Sequence, residues 1–364
     1  TQSRSSAASD VYKRQAVEDV FALSSAIYAP PPPSGWTDPN NDPTPCPYHC
    51  TIEAPFWELC QRMGETAARD IPTTSGFVVA TGVRPTSDAG NAKLYTNPTN
   101  TAYEEAGTVD FCPTAVLALA ITPNQTVIPI SGGIDLDIVR LNTYAIIDNE
   151  LVVVTAISSS SMTVGRGVLD SVPVAHALGA RVFFPDVYFE TDSVEYAQGE
   201  TARIKILPTT SKGTLAVGSA PEQTVTIQAR SSKPYPPQGL RINTQAYPDT
   251  VRGDQDITVA WAHRDRLQQT ATLVDTEAAS IGPEANTTYT CRLLTAAGSV
   301  LVTHAGLTGV VTDTFTLAEM GSNYGRLRIQ LWAVRDGIQS LQMHDWEFTR
   351  SGYGAGYGYS YGGA

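Results

Sequence analysis

The sequence predicts a mainly β protein with few helices, organised as two or three domains. Three observations carry that reading. The chain has 364 residues, more than one hydrophobic core ordinarily organises. Charged residues make up only 16 %, against a usual ~25 %. Their place is taken by Thr, Ser, 29 Gly and 24 Pro, a composition suited to short strands joined by turns rather than to helices rich in Glu, Lys and Leu. Hydrophobic residues reach 42 %, enough to build sizeable cores and too much for a disordered chain.

Charge and cysteine usage narrow the functional classes. Lys and Arg number 24 against 36 Asp and Glu, a formal net charge of −12. Duplex binding needs a basic face that displaces counterions, so specific nucleic-acid binding is not expected, and an anionic bilayer surface is disfavoured for the same reason. No apolar run reaches the ~18–20 residues that cross a membrane, and no apolar stretch of signal-peptide type follows the first basic residues. Five cysteines, an odd number spread over a long chain, do not form a disulfide framework.

Taken along the chain, residues 1–15 read as foreign: SAASDVYKRQ resembles translated sequencing-adapter sequence of the kind found at the edges of metagenomic reading frames, and it is set aside from fold reasoning. On that reading the true N-terminal part is missing. Residues 17–28 have the pattern of an amphipathic helix, ended by Pro30 to Pro33. Residues 34–50 read as loop. Glu53 to Arg69 is the second helix candidate, with Phe56, Leu59, Cys60 and Met63 at helical spacing. From Gly76 the period changes: FVVATGV (77–83), AKLYTN (92–97) and TVDFC (108–112) are strand-like runs.

Residues 113–186 contain seven short strand candidates, among them Leu136 to Val139, and their spacing suggests a small barrel. Asp148-Asn149 between YAII and ELVVV predicts a tight hairpin. Residues 187–231 hold further strands, including TARIKIL and QTVTIQA. SKPYPPQG (232–239) is a stiff linker. After it, residues 232–350 read as a seven-strand sandwich, interrupted by a long loop over 265–286. Residues 351–364, SGYGAGYGYSYGGA, hold no aliphatic side chain and form a flexible tail. Its Tyr353, Tyr357, Tyr359 and Tyr361 are candidate surface-binding aromatics.

Candidate chemistry is sparse. Cys46, His49, Cys50 and Cys60 carry zinc-ligand chemistry at an irregular spacing. A local thiol cluster, a Cys46–Cys50 disulfide and unrelated cysteines are the alternatives. Asp135, Asp137, Asp148 and Glu150 gather around one hairpin, but without the spacing of a calcium loop, and read as solvated turn charges. His263, Arg264, Asp265 and Arg266 read as a charged end to an edge strand, or else as a subunit contact. Neither G-x-S-x-G nor H-E-x-x-H occurs, so no catalytic residue, cofactor or metal is assigned.

Four features in order resemble the C-terminal part of the central tail-tip (baseplate hub) proteins of long-tailed bacteriophages and gene transfer agents. They are APFWEL with GFVVATGV and AKLYTN; AIIDNELVVVTAI through Gly165-Arg166-Gly167 and His176 to the Gly-Ala strand; SKPYPPQGLRIN; and VAWAHRDRLQQT followed by GPEANTTYTCRLL. The resemblance spans about Ile52 to Phe348. It departs at Val164, where the family usually has an Arg, and in the loop after Arg266.

The resemblance implies a partial hub domain over 16–112, resumed over 187–231. A small β-barrel is inserted between the two parts, and a fibronectin type III-like sandwich follows. In that sandwich Trp261 is the buried strand tryptophan, Phe315 and Leu317 an aromatic–leucine pair, and Leu327, Ile329, Leu331 and Ala333 the inward row. It further implies a non-enzymatic virion protein, made in a bacterial host cytoplasm, that acts in tail assembly and host attachment. Its implied partners are a distal tail ring, tail fibres, a homotrimeric ring of its own kind and a host receptor or glycan. The alternative reading is a carbohydrate-binding or polysaccharide-depolymerising module, using exposed aromatics such as Trp346, Tyr353 and Tyr357.

Overall fold

The computed structural model describes residues 42–98, 100–322 and 325–351. The N-terminal adapter-like run, the helix expected over 17–28 and the Gly/Tyr-rich tail lie outside them. From Pro43 onward the described residues form one compact unit.

The unit opens with β1 (His49–Glu53), paired antiparallel with β2 (Val78–Gly82). Between them lie α1 (Phe56–Met63) and α2 (Glu65–Arg69). The single helix expected over Glu53 to Arg69 is therefore shorter and broken. Pro55, at φ −67° and ψ 158°, holds the chain extended just before α1 and leaves Glu53 to β1. Gly64, at φ +85°, ends it. Phe56, Leu59 and Cys60 are buried as the spacing predicts, whereas Met63 is 38 % exposed. β3 (Asn91–Thr96) and β4 (Glu104–Val109) follow as an antiparallel pair.

Six strands then close a barrel: β5 (Thr114–Leu117), β6 (Val127–Ile134), β7 (Tyr144–Ile147), β8 (Glu150–Ile157), β9 (Ser161–Gly165) and β10 (Arg181–Phe183). Around the barrel they run β9-β6-β5-β10-β7-β8. Alternate residues fill the interior, among them Leu117, Ile128, Ile147, Val152, Val154 and Val164. The opposite faces of β7 and β8 are buried too: Tyr144, Ile146, Leu151 and Val153 pack with Phe56, Leu59 and Val79. Burial on both faces explains why YAII and ELVVV are continuous apolar runs instead of alternating ones. Asp148-Asn149 turns the β7–β8 hairpin, with Asp148 at φ +52°. The strand expected over Leu136 to Val139 is instead a short 3-10 turn, Leu136–Ile138. Asp135 before it takes φ +55° and its carboxylate meets Arg84 at 3.0 Å, which ends extended pairing.

The chain returns through β11 (Thr201–Thr210), which pairs with β3, and β12 (Gln223–Thr226), which pairs with β11. The sandwich follows. One sheet holds β13 (Gln238–Ile242), β14 (Ile257–Ala262) and β17 (Thr312–Phe315). The other holds β15 (Thr287–Thr295), β16 (Val300–Leu307), β18 (Gly325–Arg335) and β19 (His344–Ser351) in the order β19-β18-β15-β16. The order is that of a fibronectin type III-like sandwich: first, second and fifth strands face third, fourth, sixth and seventh. Leu327, Ile329, Leu331 and Ala333 alternate into the core, which also holds Trp261 (5 % exposed) and Phe315. Leu317 does not pair with Phe315 inside. It opens the one-turn helix α3 (Leu317–Met320) and is 41 % exposed, while Met320 turns inward instead.

Candidate functional site

Gly165-Arg166-Gly167 runs from the last residue of β9 into the loop beyond and builds a buried ionic knot. Both side chains of the Arg166–Glu150 pair are almost wholly buried. Arg166 Nε and Nη2 donate to Glu150 Oε1 and Oε2, each at 2.7 Å. Its remaining donors reach the carbonyls of Thr122 (2.7 Å), Gln125 (2.9 Å) and Val174 (2.6 Å), so all five N–H groups are used. Glu150 also accepts from the backbone amides of Gly167 and Val174, at 3.0 Å each. His176 completes the knot, with Nε2 at 2.9 Å from Glu150 and Nδ1 at 2.7 Å from Asp148. Carboxylates on both ring nitrogens require both to donate, the pattern of an imidazolium.

The titration follows that geometry. Burial pushes the Glu150 carboxyl up, but hydrogen bonds from Arg166 and His176 outweigh it and hold it below the usual carboxylate range. Burial pulls His176 down, while Glu150 and Asp148 hold it above the ordinary imidazole value. The two glycines are steric requirements. A Cβ on Gly165 would lie 2.6 Å from Asp275 Oδ2 and 2.8 Å from Val153 Cγ1. One on Gly167, at φ +56°, would lie 2.5 Å from Pro173 Cδ. Glu150 is thus no solvated turn charge, as its place beside Asp148 suggested. It is 1 % exposed and holds the 166–176 loop onto the barrel.

Two further clusters weld the parts together. Arg230 pairs with Asp170 at 2.5 and 2.8 Å and donates to the Glu53 carbonyl at 2.9 Å, while Glu53 accepts from the amides of Gln228 and Arg230 at 2.7 Å each. In the sandwich, Glu284 pairs with Arg335 and, at 3.1 Å, with Arg266. Those two arginines also reach the carbonyls of Ser232 and Ser231, and Arg266 lies over the Phe56 ring at 4.6 Å. The charged run at 263–266 is accordingly not the end of an edge strand. β14 is central in its sheet, His263, Arg264 and Asp265 are buried, and Arg264 caps four carbonyls.

Where barrel, first strands and sandwich converge lies a groove of about 750 Å³. Its walls include Thr51, Ile52 and Glu53 of β1, Asp148 and Asn149 of the hairpin turn, Thr224 to Thr226 of β12, and Leu341, Gln342 and Met343. Gln342 fixes the sandwich side, donating to the Asn149 carbonyl at 2.6 Å and accepting from the Val172 amide at 3.0 Å. No aromatic side chain is among the lining residues.

The residues singled out in the sequence are dispersed. Cys46, Cys50 and Cys60 are buried free thiols, as are Cys112 and Cys291. Burial raises Cys46 and Cys50 to about 12 and Cys60 to about 11. Cys46 packs against Gly82 in one core cluster while Cys50 and Cys60 belong to another. Among the described residues no group of three or more His, Cys, Asp or Glu side chains is placed to hold a metal ion. Trp346 is half-buried: it packs edge-on to Tyr247 at 5.3 Å and donates Nε1 to the Pro248 carbonyl. Tyr353, Tyr357, Tyr359 and Tyr361 lie outside the described residues. Among the described residues no helix is long and apolar enough to cross a membrane.

No family profile and no curated protein matches the chain. Among solved structures, the FN1–FN3 domains of chicken CNTN1 share 8 % identity over 77 % of this chain, at a TM-score of 0.21. The BSP domain of a biofilm associated protein shares 9 % over 86 %, at 0.20. The chain spans 64 % and 53 % of those two. At such scores neither superposition carries an argument, and the sandwich is defined by its strand order.

Proposed function

We propose that the chain is a structural part of the tail tip of a long-tailed phage, a piece of the central baseplate hub that acts in tail assembly and host attachment. The observation that carries this reading is the use made of the buried charge. Arg166 and Glu150 are saturated by each other and by backbone. Asp170–Arg230 and Glu284–Arg335 likewise join segments far apart in the chain. Arg166, with all five N–H groups committed, has no proton left for a substrate, and the three buried pairs stiffen a part that must hold its shape under load. The ordered hub-like features of the sequence point to the same class. In this reading the partners are a distal tail ring, tail fibres and further copies of the chain in a threefold ring, with the sandwich presented to a host receptor or glycan. Sequencing the genomic neighbourhood tests it. Tape-measure and tail-assembly genes beside this one are the expected result, and metabolic neighbours would sink the reading. Release of oligosaccharides from a host polysaccharide by the purified chain would favour the depolymerising alternative instead.

A further inference from the structure

The groove at the three-way junction is flanked by two strands with unused backbone. Ala54 N donates to Phe77 O and Val83 N to Tyr48 O, so by alternation the amides of Cys50 and Ile52 turn to β2 and those of Thr51 and Glu53 turn away. On the other wall, Ile227 N donates to Glu200 O, so the Val225 amide turns to β11 while those of Thr224 and Thr226 turn away. The Glu53 carbonyl is taken by Arg230. The outward backbone of Thr51, Thr224 and Thr226 has no hydrogen-bond partner among the described residues, nor has the Thr51 hydroxyl. Groove walls with unpaired strand edges suit an added strand, which brings its own row of amides and carbonyls.

Charge and lining restrict the occupant further. Glu53, Glu150 and Arg230 line the groove but are buried and already paired. Asp148 is the exposed charge: its Oδ2 meets His176 Nδ1 at 2.7 Å, and its side chain, 58 % accessible, still lines the groove. The volume falls within the roughly 300–1,000 Å³ of ligand clefts. Sugar rings are ordinarily held against aromatic faces, and none lines this groove.

From this geometry we infer that the groove binds an extended polypeptide segment of a partner protein, pairing its backbone with Thr51 of β1 or with Thr224 and Thr226 of β12 and setting a Lys or Arg side chain on Asp148. The inference goes beyond the assembly reading and stands on the groove alone. The side chains facing the floor are apolar, to meet Ile52, Ile146, Val172 and Met343.

The test uses the full chain and three probes: an acetylated octapeptide of alternating Thr and Val with one central Lys, the same peptide with Glu in that place, and neutral dextran oligosaccharides. Hydrogen exchange by mass spectrometry reads residues 49–53 and 223–226. The Lys peptide is expected to slow exchange there at least tenfold at saturation and to bind about three- to fivefold more tightly than the Glu peptide. Asp148→Asn should erase that preference while leaving protection in place. Thr226→Pro, at an outward amide that an edge strand can lose, should keep the thermal midpoint and abolish protection over 223–226. If Thr226→Pro unfolds the chain, Asp148→Asn alone decides. Protection absent from both segments with the Lys peptide, equal binding of Lys and Glu peptides, or protection by the oligosaccharides would each overturn the inference.

Discussion

At the scale of single residues, buried ionisable groups set how the chain responds to pH and to substitution. Glu150→Gln keeps the shape but leaves the Arg166 guanidinium buried against a neutral amide. Breaking a buried pair in this way costs about 3–5 kcal/mol, and denaturant unfolding of the purified variant measures it. His344 is a cleaner titration. It is buried, donates from Nε2 to the Pro237 carbonyl at 2.8 Å, and accepts at Nδ1 from the Tyr247 hydroxyl at 3.2 Å. Burial lowers it to about 4. The unfolded chain takes up this proton near 6.5 and the folded chain only near 4, so between those values the unfolded state holds more protons. The stability from neutral His344 is therefore complete above about pH 6.5 and is lost as pH falls toward 4, by about 3 kcal/mol in all. His344→Gln keeps a donor and an acceptor without titrating. Stability curves at pH 7 and pH 4.5 should show a smaller acid loss for the variant, and an equal loss would remove His344 as its source.

At the scale of elements, local rules were legible and partners distant in sequence were not. The sandwich strands could be read because Leu327, Ile329 and Leu331 alternate with the polar Arg328 and Gln330. The β7–β8 hairpin could be read because Asp-Asn tolerates positive φ. Apolar spacing over 53–69 continues through Pro55 and Gly64, both of which interrupt the helix, so periodicity alone overstates its length. Nothing local in the sequence marks Glu150, Asp170 and Arg230 as buried. Arg166 lies 16 residues from Glu150 and meets it across the β8–β9 pair, while Arg230 lies 60 from Asp170, a distance that the returning chain spans. Gly165-Arg166-Gly167 drew notice through resemblance alone, although its physical cause is local. Gly167→Ala places a Cβ against Pro173 in a backbone that disfavours it, and the loop carrying Val174 and His176 must shift. We expect a loss of about 2–3 kcal/mol, read by thermal unfolding, whereas Gly298→Ala, strained at φ +87° but in open space, should lose only about 1 kcal/mol. Equal losses would mean that backbone conformation, and not the contact with Pro173, sets the requirement.

At the scale of the whole molecule, the question is whether barrel, first strands and sandwich unfold together. The sandwich has a core of its own, from Leu240 to Phe348. Its long loop, however, sends Leu267 and Leu273 against the cluster that contains Phe56, Leu59, Tyr144 and Leu151. The bond that fixes this loop is Glu284, 6 % exposed, placed between Arg266 and Arg335. Burial pushes its carboxyl up, and the two guanidiniums only partly offset that, so its ionised form depends on both staying in place. Glu284→Gln removes the shared counter-charge from two buried arginines that hold the Ser231 and Ser232 carbonyls. We expect calorimetry of the parent chain to give one cooperative transition and the variant to give two. The sandwich, with its core intact, should then retain hydrogen-exchange protection over 327–333 at temperatures where 144–153 has lost it. Arg326→Gln serves as control: its pair with Glu347 is exposed, and its loss should move the transition by no more than about 0.5 kcal/mol. A single transition in Glu284→Gln, with both regions losing protection together, would mean that apolar packing of the loop alone couples the parts and that the buried charges add only local stability.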